Sequence, residues 1–458
     1  MNPEALQREM LDGGGPAAAA GCGLARRPHI PPHHRALRTM PSSLPNLIGY
    51  SRAELEDLAG ACGQPRYRGR QLYHGLYARL AADFSAFTDL ARGLRERLAV
   101  GYIVGYPEVV REVASQDESV RYLLGLDDGE AVEAVYMPWR LERRQGRAVA
   151  TPSGRALPGR MKPAKAAEPA EETGEPRTTL CISSQVGCVL DCKFCFTGQL
   201  GARRNLTAGE IVGQVLAIAR ARALWGAAKE RDSSGAAAGE SPALSARVPG
   251  NGPRRRPPRK ARTSPRLNIV FMGQGEPLLN LAAVMKAVAI LADTAACAVP
   301  LRRITISTAG MVPRIYDLAR EPVRPKLAIS LNASNDEQRS ALMPINRKYP
   351  LGALLEACRA YPLRPREHLT FEYVMLDGVN DSDEDAERVA RLLAGLAARV
   401  NLIPYNGGAS LPFRSSPLER VYRYQHILRE RGLPAFIRIS RGQDIMAACG
   451  QLSLAGRA

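Results

Sequence analysis

From Leu180 onward the chain repeats one hydrophobic pattern. Short apolar and β-branched runs alternate with longer stretches of helical period. The runs are Thr179-Leu-Cys-Ile-Ser, Leu267-Asn-Ile-Val-Phe-Met, Arg303-Ile-Thr-Ile-Ser, Lys326-Leu-Ala-Ile-Ser-Leu, Leu369-Thr-Phe-Glu-Tyr-Val-Met, Val400-Asn-Leu-Ile-Pro-Tyr and Ala435-Phe-Ile-Arg-Ile-Ser. Helical spacing covers 208–223 (capped by Thr207), 281–292, 312–319, 351–360 and 383–397. Strand–helix alternation predicts an α/β fold with a parallel sheet. Six such units suit a partial (β/α)6 TIM-like barrel, whose ligands sit at the C-terminal ends of the strands.

The pattern upstream is different. Residues 108–138 read as strands, with a hairpin turn at Asp128-Gly129. There Glu133 shares a face with Ala131, Val135 and Met137. A buried carboxylate on such a face would be a candidate acid or base. Taken alone, the residues favour an edge position where Glu133 reaches solvent. Residues 44–100 read as a small helical module, opened by a capping box of Ser51 and Glu54. Its stretch Tyr67-Arg-Gly-Arg-Gln-Leu-Tyr73-His-Gly-Leu-Tyr77, flanked by Arg66 and Arg79, mixes aromatics with arginines. That mixture suits stacking on bases and pairing with phosphates. An amphipathic helix turning Leu72, Leu76 and Leu80 to a core explains the leucines equally well.

The remaining segments lack periodicity. Residues 1–43 read as a disordered tail, 141–177 and 226–266 as flexible insertions, and 453–458 as a short tail. The predicted organisation is therefore a helical accessory domain over 44–100, a β-rich extension over 101–140 and a barrel over 178–452 that contains the second insertion. The formal charge of +18 points to a polyanionic partner. The excess is concentrated in the aperiodic segments, notably Arg254-Arg-Arg-Pro-Pro-Arg-Lys, leaving the periodic part mildly basic. No apolar run is long enough for a spanning helix, and the first residues lack a signal-peptide core. The chain reads as cytoplasmic, with no membrane partner.

Nine cysteines in 458 residues do not make a secreted disulfide scaffold. Four of them lie in Cys181-Ile-Ser-Ser-Gln-Val-Gly-Cys188-Val-Leu-Asp-Cys192-Lys-Phe-Cys195. Structural zinc usually takes four ligands, and no histidine follows nearby. Three thiolates at this C-x3-C-x2-C spacing suit a four-iron cluster with one iron free to chelate S-adenosylmethionine. The spacing resembles the radical-SAM superfamily. A second motif, Gly273-Gln-Gly-Glu276-Pro, follows one unit later; its glycines permit close approach and its carboxylate can take a cationic amino group.

The resemblance narrows further. The cysteine stretch, Arg204-Asn-Leu, Gly275-Glu-Pro-Leu-Leu-Asn280, Ser307-Thr, Pro344-Ile-Asn, Glu372-Tyr-Val-Met-Leu, Asn401-Leu-Ile-Pro-Tyr-Asn406 and Ala448-Cys-Gly-Gln-Leu452 resemble the radical-SAM adenine-C2 RNA methyltransferases. The resemblance implies that Cys188, Cys192 and Cys195 hold a [4Fe-4S] cluster. It implies that Gly275, Glu276, Ser307, Ser330, Leu331, Asn332 and Asn406 line the S-adenosylmethionine site. Cys449 would accept a methyl group from one S-adenosylmethionine, and a second would yield the radical. Cys181 would resolve the RNA-linked intermediate through a disulfide with Cys449, and Glu133 would remove the C2 proton, reversing the solvent-edge reading. The implied substrates are 23S rRNA and some tRNAs, the reductant a protein such as flavodoxin, and the enzyme a monomer. Departures from the family pattern are Asn332 where many relatives have His, Gln274 where Met is common, Phe196 in place of a small residue, and the two insertions. The alternatives are an adenine-C8 methyltransferase of 23S rRNA and a noncatalytic RNA-binding protein with structural zinc.

Overall fold

Seven parallel strands and three antiparallel ones make a single open sheet in the computed structural model. It describes residues 44–138, 177–224, 266–407 and 411–452. The tails expected at 1–43 and 453–458, and nearly all of both expected insertions, lie outside the described residues. The parallel strands are β4 (Arg177–Cys181), β7 (Arg266–Phe271), β8 (Ile304–Thr308), β9 (Lys326–Ser330), β10 (Leu369–Met375), β11 (Ala398–Pro404) and β12 (Ala435–Ile437), hydrogen-bonded in that order. Their outward faces carry the aliphatic residues: on β8, Ile304 and Ile306 are buried while Thr305 and Ser307 face the other side. This is the partial (β/α)6 barrel that the alternation predicts, with the three-residue β12 as a seventh parallel strand.

Helices cover the outer face. Thr207 and Glu210 form a capping box that starts α5 (Ala208–Ala221), and Ile211, Val212, Val215, Leu216 and Ile218 are buried along it. Each such side chain is worth about 1.5–3 kcal/mol when fully buried. The other crossover helices are α6 (Leu281–Ala292), α7 (Val312–Arg320), α8 (Asp336–Leu342), α9 (Leu351–Ala360), α10 (Asp383–Leu392) and α11 (Leu418–Glu430). The helix predicted over 383–397 stops at Leu392, because the chain turns at Gly395 with φ +77° to start β11.

The extension is part of the same sheet. Strands β1 (Glu108–Ala114), β2 (Val120–Gly125) and β3 (Ala131–Met137) pair antiparallel, and β3 pairs antiparallel with β4, setting Val135 opposite Cys181. Strand β3 is therefore internal. Glu133 is only 1% exposed, which overturns the solvent-edge reading drawn from the residues alone.

Helices α1 (Arg52–Ala61), α2 (Tyr67–Tyr77) and α3 (Arg92–Gly101) form the N-terminal module. A Cβ at Gly69 would stand 2.4 Å from the Glu56 backbone, so α1 and α2 cross as closely as glycine permits. Leu72, Leu76 and Leu80 face the core, and so do Tyr73 and Tyr77. The base-stacking reading of those two tyrosines is thereby corrected: the helix period places them inward, and only Tyr67 is exposed. The Tyr77 hydroxyl donates to the Tyr50 carbonyl and accepts from the Gly49 N–H. Arg52–Asp293 and Lys286–Glu54 ion pairs, both at 2.7 Å, fasten the module to the barrel.

Candidate active site

The loop after β4 is held by a set of polar clasps. Ser183 Oγ donates to the Glu133 carbonyl (2.6 Å) and accepts from Gln274 N–H (2.9 Å). Its backbone is gripped on both sides by the Gln214 amide. Gln185 Oε1 accepts from Glu276 N–H (2.8 Å) and its Nε2 donates to Asn205. A Cβ on Gly275 would meet Gln185 at 2.5 Å, and φ there is +95°, so only glycine fits. The Ser-Ser-Gln between Cys181 and Cys188 is thus a splice joining β3, the short hairpin of β5 (Gln185–Gly187) and β6 (Ala202–Asn205), and the loop after β7.

Beyond this splice lie Cys188, Cys192 and Cys195, the last opening the short helix α4 (Phe196–Gln199). Burial raises all three thiols, Cys188 to about 12, and their mutual proximity raises Cys188 and Cys192 further. Backbone N–H groups of Leu190 and of Thr197 and Gly198 oppose this at Cys188 and Cys195, and the Arg339 guanidinium does so at Cys192. Clustered thiols facing N–H donors and a cation form a donor set suited to an anionic iron–sulfur group. Among the described residues, no three His, Cys, Asp or Glu side chains are grouped to hold a single metal ion.

The predicted S-adenosylmethionine residues gather at the strand C-termini. Glu276 is buried, accepts from Ala309 N–H (2.8 Å) and Leu278 N–H (3.1 Å), and is raised by burial to about 7. Arg339, fully buried, donates to the carbonyls of Ala309, Ser330 and Leu331 and to Asn346, tying the ends of β8 and β9 together. Ser307 lies in β8. Asn332 adopts φ +55° and spends its side chain on Val374 N–H and Met343 Sδ. Asn is among the few residues that enter this left-handed region readily. Asn406 donates to Ser440 and accepts from Gln451 through its carbonyl. The buried Gln274 amide has neither atom paired among the described residues. A buried, unpaired amide beside a carboxylate ready to regain its charge near a cation fits an amino-acid-bearing ligand.

Cys449 sits on the C-terminal loop, which is fastened at both ends. Phe196 N–H donates to the Gly450 carbonyl (2.8 Å) and Thr197 Oγ1 to that of Leu452 (2.7 Å), binding the loop to the cluster cysteines. Asp444 accepts from Ser115 and Gln116, and Gly442 N–H donates to Asp117, binding it to the β1–β2 turn. Cys449 has accessible surface, but that surface faces a cavity inside the barrel. Its thiol is pushed up to about 11, first by burial and then by Glu372 and Cys195. Cys181 is buried, and its thiol is raised by burial and then by Cys449. Val135, Cys181, Ile445, Ala447 and Leu452 form a small separate apolar cluster around the pair. Two cysteines far apart in sequence therefore wall one cavity and act on each other electrostatically.

Sequence reasoning missed Arg121. Its Nη1 stands 3.4 Å from Glu133 Oε1 and 3.4 Å from the Met446 carbonyl, three residues before Cys449. Only the inward alternation of β2 could have hinted at it.

Cys181 and Cys449 wall the cavity, of about 600 Å³, together with Glu372 and Asn401. Glu372 accepts from Asn401 (2.9 Å), whose Oδ1 accepts from Arg438. Glu133 and the predicted S-adenosylmethionine residues do not line it; they lie behind its wall and at the strand ends.

Residues 258–392 match the Radical SAM superfamily, and residues 45–104 match the ribosomal RNA large subunit methyltransferase N-terminal domain. The chain is 41% identical to the dual-specificity RNA methyltransferase RlmN of Anaeromyxobacter sp. (strain Fw109-5), over 94% of each chain. It is 40% identical to the protein of the same description from Rhodospirillum rubrum, over 89% of this chain and 80% of that one. The chain belongs to the RlmN family. A solved radical SAM methyltransferase from Sphaerobacter thermophilus superposes with a TM-score of 0.69 at 41% identity, covering 89% of this chain and 99% of that one. As an RlmN-family member the protein is a radical SAM RNA methyltransferase that uses a [4Fe-4S] cluster and S-adenosylmethionine.

Proposed function

We propose that the enzyme methylates C2 of adenine in 23S rRNA and in some tRNAs, using Cys449 as a methyl carrier. The observation that supports this best is that Cys449 and Cys181 wall one nucleotide-sized cavity, Cys449 on a loop whose Gly450 carbonyl accepts from Phe196 N–H next to Cys195. Cys188, Cys192 and Cys195 hold the cluster; Gly275, Glu276, Ser307, Ser330, Leu331, Asn332 and Asn406 line the S-adenosylmethionine site. When bound, cluster and S-adenosylmethionine supply the methyl group and a 5′-deoxyadenosyl radical, two S-adenosylmethionine molecules being consumed per turnover.

The chain's own residues do the rest. Cys449 takes the methyl on sulfur, at the inner end of the cavity. The family resemblance assigns removal of the C2 proton to Glu133. That carboxylate lies behind the cavity wall beside Arg121 and would act on the base through that wall once the methyl carbon is joined to C2. The Cys181 thiolate then attacks the Cys449 sulfur: the S–S bond forms as the bond from that sulfur to the CH2 on adenine breaks, and the released carbon takes up a proton to become the methyl group. For Asn332, contact with the cofactor runs through its backbone, since its side chain is already committed. Reduction of cluster and disulfide falls to a flavodoxin-like donor, and the enzyme works as a cytoplasmic monomer. No described helix is long and apolar enough to cross a membrane.

Membership of the RlmN family favours this reading over C8 methylation and over a noncatalytic zinc protein. Nucleoside mass spectrometry of rRNA and tRNA, with and without the gene, tests it. 2-Methyladenosine that depends on the gene is expected; 8-methyladenosine without it would overturn the proposal.

A further inference from the structure

The cavity has a second end that the cysteine chemistry does not use. Its far wall is made by residues that begin the parallel strands: Arg302 and Arg303 before β8, Lys326 at the start of β9, and Arg399 at the start of β11. Arg438 and Arg441, just after β12, complete the rim. In a parallel sheet these starts lie opposite the C-terminal ends that carry the cluster loop. Among the described residues, one carboxylate, Glu372, is the only acidic group on the lining, and Asn401 already binds it.

The cations are positioned by neutral partners. Arg399 donates to Thr370 Oγ1 (3.0 Å), Arg438 to Asn401 Oδ1 (3.2 Å) and Arg441 to the Pro138 carbonyl. Such partners orient a guanidinium without neutralising it, and the single Glu372 carboxylate, which faces both Arg399 and Arg438, offsets only part of the charge. Lys326 is half-buried, and burial followed by the charge of Arg399 lowers its ammonium. Like charges gathered in a partly desolvated mouth are costly unless an anion joins them. Beside them Ile439, which also lines the cavity, is 79% exposed and offers an apolar surface to a base.

We infer that this basic mouth at the N-terminal end of the barrel admits the RNA, its cations holding the phosphates on either side of an adenine extruded into the cavity towards Cys449. The inference rests on the RNA-methylating function proposed above. Chemistry on a base edge requires the base to leave its stack, and a pocket of about 600 Å³ has room for one nucleotide. Substrate and S-adenosylmethionine then approach the methyl-carrying thiol from opposite ends of the barrel.

The test uses the full-length, cluster-loaded enzyme and unmodified 23S rRNA. Methylation of Cys449 by S-adenosylmethionine without RNA, read by mass spectrometry, reports that each protein is folded and loaded. In the double variant Arg302→Gln/Lys326→Gln, affinity for the RNA should fall about tenfold. The slope of log K against log salt should flatten by about 0.7 for each phosphate that is no longer neutralised. In the wild type, RNA should protect Lys326 from acetylation, a measurement that needs no substitution. Unchanged RNA affinity and salt slope, or an unprotected Lys326, would overturn the inference. So would loss of Cys449 methylation with RNA binding intact, which would assign the cations to S-adenosylmethionine. Failure of the wild type itself to methylate Cys449 would instead count against the proposed function.

Discussion

The two ends of the barrel are built on opposite principles. At the C-terminal end, buried side chains clasp backbone: Ser183, Gln185 and Arg339 hold loops in one arrangement through hydrogen bonds to N–H and carbonyl groups, and Gly275 lets them pack closely. At the N-terminal end, long cations from separate segments gather round the cavity, and Arg399, Arg438 and Arg441 are each steadied by a hydrogen bond to a neutral group. The first arrangement fixes atoms to a fraction of an ångström, as radical chemistry demands. The second tolerates displacement, as a flexible polyanion demands. Substitutions at the first end should therefore stop chemistry, and those at the second should weaken binding in a salt-dependent way.

The largest effect is expected at Cys449. Changing it to Ala should abolish methylated product at any RNA concentration, because no carrier remains, while iron content stays normal. Cys192→Ala should remove activity by another route. Iron and acid-labile sulfide should fall in the purified protein, and residual cluster with full activity would refute the ligand assignment. Arg121→Met comes next. It leaves Glu133 buried without its cation, a change worth about 3 kcal/mol of stability, and frees the loop before Cys449. Turnover should fall with little change in RNA affinity, and Arg121→Lys should recover part of it. A rise in KM alone would move Arg121 to the binding side of the comparison. The smallest effect is at Gln185. Gln185→Ala leaves the Glu276 N–H and the Asn205 side-chain oxygen unpartnered, a loss of about 1–3 kcal/mol read as a lower Tm, with weaker S-adenosylmethionine binding.

The same contrast explains what the sequence disclosed. The C-terminal end is made of contiguous stretches, so its cysteines and the Gly-Gln-Gly-Glu turn were legible as spacing. The seven parallel strands were legible because each is a short apolar or β-branched run terminated by turn residues. Helix α11 was not, since Arg420, Arg423 and Arg429 mask the period on which Val421, Tyr424 and Leu428 are buried. Glu133 was misread from its residues alone because nothing local says that β3 pairs with β4 across an insertion. The basic mouth was invisible for the same reason: Arg302, Lys326, Arg399 and Arg438 lie in or beside different strands and converge only when the sheet curls. The aromatic–arginine helix shows the opposite error, where a suggestive local mixture proved to be largely core.

The central claim is that Cys181 and Cys449 act as one pair on a base held between them. Incubating the cluster-loaded Cys181→Ala protein with S-adenosylmethionine, reductant and unmodified RNA tests it most directly. The account predicts a covalent RNA–protein adduct that survives denaturation and maps to Cys449 by mass spectrometry. Normal turnover without an adduct would contradict it.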